Sequence, residues 1–340
     1  MAYELWANHM KHNPANPEWM NRDRFVLSAG HGSPLLYSLF HLFGYGLTTD
    51  DLASFRQWGS LTPGHPEYGH TKGVETTTGP LGQGFATACG MAMAEAHLAA
   101  RFNTPEHKII DHRTYVLCGD GDLMEGITSE AASLAGTLKL GKLIVLYDDN
   151  EIRIEGSTDL AFREDVGARF ESYGWHVLDV RDGNDRDSIS RALAEARTRE
   201  DRPSMIMVHT KIGYGSPKEG SSACHGSPLG EENVALTKRA LGWPSDLAPF
   251  EVPDEIRAHM ARIAGKLAAE EESWNALFLE WSEANPERAE LLRRGMNRQD
   301  LTLELDELTA LLSEDEATRV SSGKILNHIA KKTPFLFGGS

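Results

Sequence analysis

Tyr115-Val116-Leu117-Cys118-Gly119-Asp120-Gly121 and Leu143-Ile144-Val145-Leu146-Tyr147-Asp148-Asp149-Asn150 decide the fold of this 340-residue chain. Each segment opens as an unbroken apolar run of strand length and closes on oxygen-bearing side chains. Such runs suit strands buried on both faces. The interval between Gly121 and Asn150 accommodates a loop, a helix expected from about Thr128 to Leu138, and a second loop, as the crossover between two parallel strands requires. In open α/β sheets, ligands bind beyond the carboxyl ends of the strands. A carboxylate from Asp120 and an amide oxygen from Asn150, at neighbouring strand ends, suit a hard divalent cation that also takes phosphate oxygens. The glycines flanking Asp120 let backbone N–H groups approach such a phosphate. Either tripeptide alone would ordinarily be a turn, because these residues favour turns for local reasons. Their joint placement after two apolar strands points to a metal held together with a diphosphate.

Outward from this pair, further strands are expected at Phe25–Leu27, His176–Val180 and Met205–Val208. A helix is expected over Ser188–Arg197, where Ile189, Leu193 and Ala196 follow helical spacing. Phe85–Arg101 is rich in Ala and Met without a clear polar face and reads as a buried helix. Gly141 reads as the stop of the helix before the Leu143 strand. Strands alternating with helices imply an α/β fold over residues 1–250, a mainly parallel sheet with helices on both faces. From Pro253 the texture changes. Ile256, Met260, Ile263 and Leu267 mark one amphipathic helix, and Trp274, Leu277, Phe278 and Trp281 mark the next. Asp300 to Leu312 supplies an acidic helical stretch. Residues 251–318 are therefore expected to form a helical connector that packs on the sheet domain and on a missing half, with Trp274 and Trp281 on one face as a packing seam. Residues 319–340, with Ile325-Leu326 and Pro334 to Ser340, read as the opening of a further unit.

The formal net charge of −16 argues against nucleic acid or an anionic membrane surface as partner. Three widely spaced cysteines, Cys89, Cys118 and Cys224, form neither a disulfide framework nor a zinc pattern. No apolar run reaches membrane length. A cytoplasmic location is the expectation, with no membrane partner.

Positive groups must then be concentrated locally if the chain handles phosphates. Three histidines stand in Gly- or Pro-bracketed loops: His31 in Ser28-Ala29-Gly30-His31-Gly32-Ser33, His65 in Thr62-Pro63-Gly64-His65-Pro66-Glu67, and His225 in Cys224-His225-Gly226-Ser227-Pro228. A lone loop histidine is ordinarily a surface residue. Here two of the three follow strand ends, and imidazoles donate to phosphate oxygens and carry protons. Gly79-Pro80-Leu81-Gly82-Gln83-Gly84 opens the Phe85 helix, but it has the wrong glycine spacing for a dinucleotide fingerprint and no strand before it. Glu125 reads either as a carboxylate at a helix N-terminus or as part of a buried proton relay. Asp148 and Asp149 are expected to support the site rather than form it.

Together these motifs resemble the diphosphate-binding half of a bacterial-type transketolase. The resemblance runs through Lys11-His12-Asn13-Pro14, Asp23 to Ser28, Gly30-His31-Gly32-Ser33, Thr62 to Glu67, Gly73 to Gly84, Gly119-Asp120-Gly121, Ser133 to Lys142 and Tyr147 to Asn150. It implies thiamine diphosphate as cofactor, with Mg2+ or Ca2+ held by Asp120, Asn150 and the backbone carbonyl of Ile152. It also implies that His31, His225 and Gly121 meet the diphosphate, and that Gly79, Pro80 and Leu81 meet the aminopyrimidine side. His65 and His225 become the candidates for proton transfer and hydroxyl recognition. The implied reaction moves a two-carbon ketol unit from a ketose phosphate such as xylulose 5-phosphate to an aldose phosphate such as ribose 5-phosphate. The implied partners are a second subunit in a homodimer or a complementary C-terminal half. Relative to the family pattern, an upstream histidine motif and the pyrimidine-binding domain are expected to lie outside this chain. Glu151 and Arg153 depart from the residues usual beside the metal-binding Asn. A dihydroxyacetone synthase-like enzyme and a non-catalytic cofactor-binding subunit are the alternative readings.

Overall fold

The computed structural model describes residues 1–244, 247–297 and 304–338. Seven strands are present among them: β1 (Arg24–Leu27), β2 (Thr114–Gly119), β3 (Leu143–Asp149), β4 (Ile152–Arg153), β5 (Gly156–Ser157), β6 (His176–Val180) and β7 (Ser204–His209). Five form one sheet in the order β1-β2-β3-β7-β6, and every pair in it is parallel. β4 and β5 form a small antiparallel hairpin directly after β3. The expected strands all occur, each within one or two residues of its expected ends.

Alternate residues of each strand enter different cores. Phe25, Leu27, Tyr115, Leu117, Ile144, Leu146, Ile206 and Val208 pack with Leu5, Trp6, Phe40, Phe43, Ile189 and Leu193 on one face. Val26, Val116, Cys118, Leu143, Val145, Tyr147 and Met205 pack with Phe85, Ala88, Ala132 and Phe170 on the other. Successive strand side chains point to opposite faces. Apolar residues at both parities therefore force the sheet to be covered on both sides, and this is why the strands read as continuous apolar runs.

The helix in the β2–β3 crossover spans Gly126–Thr137. Its left-handed terminator is Lys139 (φ 55°), not Gly141 as the sequence suggests. Lys139 N–H donates to Gly136 O at 3.1 Å and Leu140 N–H to Ala135 O at 3.1 Å, the paired bonds of a Schellman ending. Gly141 answers to a different constraint: a Cβ there would lie 2.2 Å from the Glu200 carbonyl oxygen. The Gln83–Phe102 helix is buried on one side only. Phe85, Ala88, Cys89, Ala92 and Glu95 are inside, while Thr87, Gly90 and Ala94 are exposed. Small apolar side chains give too little contrast between faces for the sequence to reveal this.

By contacts the chain divides into one unit of residues 1–97 and 110–274 and a second of residues 98–109 and 275–340. The two helices expected after Pro253 are a single 31-residue helix, Asp254–Ala284. No Gly or Pro breaks the segment between the two apolar stripes, so nothing ends the first helix. In the first unit, Met260, Ile263 and Leu267 of this helix join the core that contains Trp6, and Trp274 meets Trp19 edge-on at 6.1 Å. In the second unit, Trp281 is fully buried and its indole N–H donates to Phe102 O at 2.9 Å. Each tryptophan ring thus finds a partner within its own unit, Trp281 fully buried and Trp274 half-buried. Of the acidic stretch 300–312, residues 300–303 lie outside the described residues; Leu305–Thr309 is a short helix. No helix among the described residues is long and apolar enough to cross a membrane.

Candidate functional site

The carboxyl ends of four adjacent strands, β1, β2, β3 and β7, carry the candidate residues. Ser28 follows β1, Asp120 follows β2, Asp149 and Asn150 close β3, and His209 and Thr210 close β7. The register sets Asp149 opposite His209.

Asp120 is buried. The Tyr147 hydroxyl donates to its Oδ1 and stands 3.3 Å from Asp149 Oδ1. Asp120 Oδ2 is buried and has no hydrogen-bond partner among the described residues. Burial raises the Asp120 carboxyl from 3.8 to about 6; the Tyr147 hydroxyl and the nearby Asn150 backbone N–H oppose the rise, and the charges of Asp149 and Asp148 add to it. Asn150 is fixed at both ends of its amide. Its Nδ2 donates to Asp148 Oδ2 at 3.0 Å, and its Oδ1 accepts from Ile152 N–H at 3.0 Å. Asp148 is held in turn by the Thr210 hydroxyl at 2.5 Å. Between Asn150 and Ile152, Glu151 adopts φ 60° and is exposed, so the chain turns sharply there with its side chain outward. Arg153 reaches the Met124 sulfur at 3.9 Å.

The three histidine loops converge. The rings of His31, in the turn Gly30–Gly32, and His225, after the turn Ser222–Cys224, have centroids 5.1 Å apart. His65 covers Gly79, where a Cβ would come within 3.3 Å of its ring. Partial burial, then the neighbouring His225 and His65, lower the His31 pKa, while Asp122 acts in the opposite sense. His31 and His65 are exposed and His225 is half-buried. Leu81 packs on Gly121, whose Cβ would sit 2.9 Å from Leu81 Cδ1. The Gly79–Gly84 loop, with Pro80 exposed, is thereby brought against the turn that bears Asp120.

Asp122 ties these parts together, a role that sequence reasoning missed. Its Oδ1 accepts from the Ser28 hydroxyl at 2.7 Å and from Gly82 N–H at 2.8 Å, and its Oδ2 accepts from Gly119 N–H at 3.0 Å. Ser28 Oγ also accepts from Phe85 N–H at 3.0 Å. Tyr147, Thr210 and His209 were missed as well. Only their position at the last residues of strands beside β2 and β3 could have signalled them. His209 sits with Nδ1 2.9 Å from Asp149 Oδ2 and Nε2 2.7 Å from Asp179 Oδ1. Glu125 is exposed at the start of the Gly126–Thr137 helix and makes no side-chain capping bond. Among the described residues, no cluster of three or more His, Cys, Asp or Glu side chains is arranged to hold a metal. A set of one carboxylate, one amide and one backbone carbonyl is a different kind of donor group.

Residues 1–301 match the family model described as "Transketolase, thiamine diphosphate binding domain". The chain belongs to the transketolase family. It is 54% identical to the transketolase of Halalkalibacterium halodurans over 343 residues, covering 100% of this chain and 51% of that protein. It is 51% identical to transketolase 1 of Escherichia coli, covering 100% of this chain and 52% of the relative. Among solved structures, transketolase from Leishmania mexicana superposes with a TM-score of 0.90 at 46% identity, covering 97% of this chain and 49% of that one. A Pichia stipitis transketolase in complex with sedoheptulose 7-phosphate superposes with a TM-score of 0.89 at 41% identity, covering 98% and 49%. The chain thus spans about half the length of the transketolases it matches.

Proposed function

We propose that this chain binds thiamine diphosphate through a divalent cation, Mg2+ or Ca2+, and serves a ketol-transferring enzyme. The cation ligands would be Asp120, Asn150 and the Ile152 carbonyl. The observation that carries the reading is the buried, unpartnered Oδ2 of Asp120 beside an Asn150 amide locked at both ends. A buried carboxylate oxygen without a partner is costly unless something completes it, and hard oxygen donors at strand ends fit a divalent cation and its phosphate. Gly121, His31 and His225 would meet the diphosphate, and Gly79, Pro80 and Leu81 the aminopyrimidine side.

Thiamine diphosphate, when bound, supplies the chemistry that breaks and remakes a carbon–carbon bond. The chain's own contribution is to hold that group and to offer His65 and His225 as imidazoles that donate to sugar or phosphate oxygens and carry protons. Xylulose 5-phosphate and ribose 5-phosphate are the proposed donor and acceptor. The naming of the relatives as transketolases favours this over a dihydroxyacetone synthase-like reaction. Because relatives are about twice as long, a homodimer or a complementary C-terminal half is proposed to complete the site. Residues 251–318 would form the connector, and residues 319–340 the opening of the pyrimidine-binding domain.

Calorimetric titration of thiamine diphosphate with Mg2+ tests the binding half of this reading. Wild-type chain should bind and Asp120→Ala should not; equal binding by both refutes the proposed ligand. Ketol transfer from xylulose 5-phosphate to ribose 5-phosphate should appear only when a complementary transketolase C-terminal half is added. Full turnover by the chain alone would refute the need for a partner.

A further inference from the structure

We infer that Tyr147 and Thr210 are positioning residues for the divalent cation, each acting through one hydrogen-bonding path on one of its two side-chain ligands. The inference rests on the metal reading above. Asp120 has two carboxylate oxygens in a buried setting, and an unrestrained carboxylate would rotate between them. The Tyr147 hydroxyl engages Oδ1 alone, which leaves Oδ2 as the oxygen without a protein partner. Tyr147 is itself 2% exposed and packed in the core that contains Val145 and Met205, so its hydroxyl has little freedom to move.

Asn150 presents the complementary problem, since a free amide can flip its oxygen and nitrogen. Here the flip is blocked by chemistry. Asp148 Oδ2 needs a donor and therefore selects Nδ2, while the Ile152 N–H needs an acceptor and selects Oδ1. Asp148 is held by Thr210, which directly follows β7, the strand next to β3. The orientation of the Asn150 oxygen thus depends on a hydroxyl from a different strand, and that of the Asp120 oxygen on a hydroxyl from β3. Outer partners of metal ligands commonly contribute 10–100-fold to affinity, because they fix ligand orientation.

The experiment measures Mn2+ binding to the full chain in the presence of thiamine diphosphate, by electron paramagnetic resonance, for wild type, Tyr147→Phe, Thr210→Val and Asp120→Ala. Both hydroxyl deletions nearly preserve side-chain shape. Each should weaken Mn2+ binding about 10–100-fold and broaden the spectrum of the bound ion, while circular dichroism and the metal-free melting midpoint show a folded chain. A merely structural role would lower the midpoint and leave the spectrum of bound Mn2+ unchanged. If wild type binds, Asp120→Ala does not, and both hydroxyl variants bind like wild type, the positioning inference falls and the metal reading stands. If Asp120→Ala binds like wild type, or wild type binds nothing, both fall. Should Tyr147→Phe fail to fold, Thr210→Val decides alone, being half-buried at a strand end.

Discussion

Asp120 shows how a residue can be legible in type and illegible in state. Its place between two glycines after an apolar strand marked it as a ligand candidate, but its neighbours in space were hidden. Tyr147, which holds one oxygen, and Asp148 and Asp149, whose charges crowd it, lie on the adjacent strand. Those neighbours and its burial set its proton affinity. With the carboxyl raised from 3.8 to about 6, the folded metal-free chain holds this proton more tightly than the unfolded chain does. The stabilisation is therefore complete at pH values below the unfolded pKa and is lost as pH rises through about 6. The difference corresponds to about 3 kcal/mol. We expect the unfolding free energy of wild type, measured relative to Asp120→Asn in urea without metal, to fall by roughly that amount between pH 4 and pH 7. A difference that stays flat across this range would contradict the account.

The elements were readable wherever period and length agreed. All five sheet strands combined apolar runs with β-branched or aromatic residues, and the Arg186–Thr198 helix showed its stripe at Ile189, Leu193 and Ala196. Reading failed where two causes share one residue type. Gly141 looked like a helix stop but is a place where the Glu200 backbone comes too close for a side chain. The Gln83–Phe102 helix offers a direct test of this ambiguity, because Gly84 and Gly90 lie on one element with different surroundings. A Cβ at Gly84 would lie 2.6 Å from Ser28 Cα, at the end of β1, whereas one at Gly90 meets nothing within 4 Å. Gly84→Ala should destabilise the chain by about 1–3 kcal/mol through overpacking. Gly90→Ala should stabilise it by up to about 1 kcal/mol by raising helix propensity. Denaturant midpoints of opposite sign are the expected result, and matching shifts would mean that the close approach at Gly84 does not govern its identity.

At the scale of the whole molecule, the sequence conveyed the parallel sheet and the helical segment after it. It did not convey that one helix runs unbroken from Asp254 to Ala284, because apolar stripes drifting around a long helix look like two helices meeting. Nor did it reveal which surfaces the tryptophans would find, since the sequence around Trp281 carries no sign of the distant Phe102 carbonyl.

The sheet's alternation between two cores has a consequence for how substitutions combine. Val116 and Leu117 are joined by a peptide bond yet share no core, whereas Leu117 and Leu146, from different strands, are paired in register and lie in the same one. Energetic coupling follows shared neighbours, not chain proximity. Alanine substitutions at Val116 and Leu117 should therefore add within about 0.5 kcal/mol, while those at Leu117 and Leu146 should deviate from additivity by about 0.5–3 kcal/mol. Double-mutant cycles in denaturant measure both, and equal coupling in the two pairs would overturn the expectation. In a combinatorial library across these strands, the positions facing one core and those facing the other should then vary as two separate alphabets, each spelled out across strands and nearly deaf to the letter beside it.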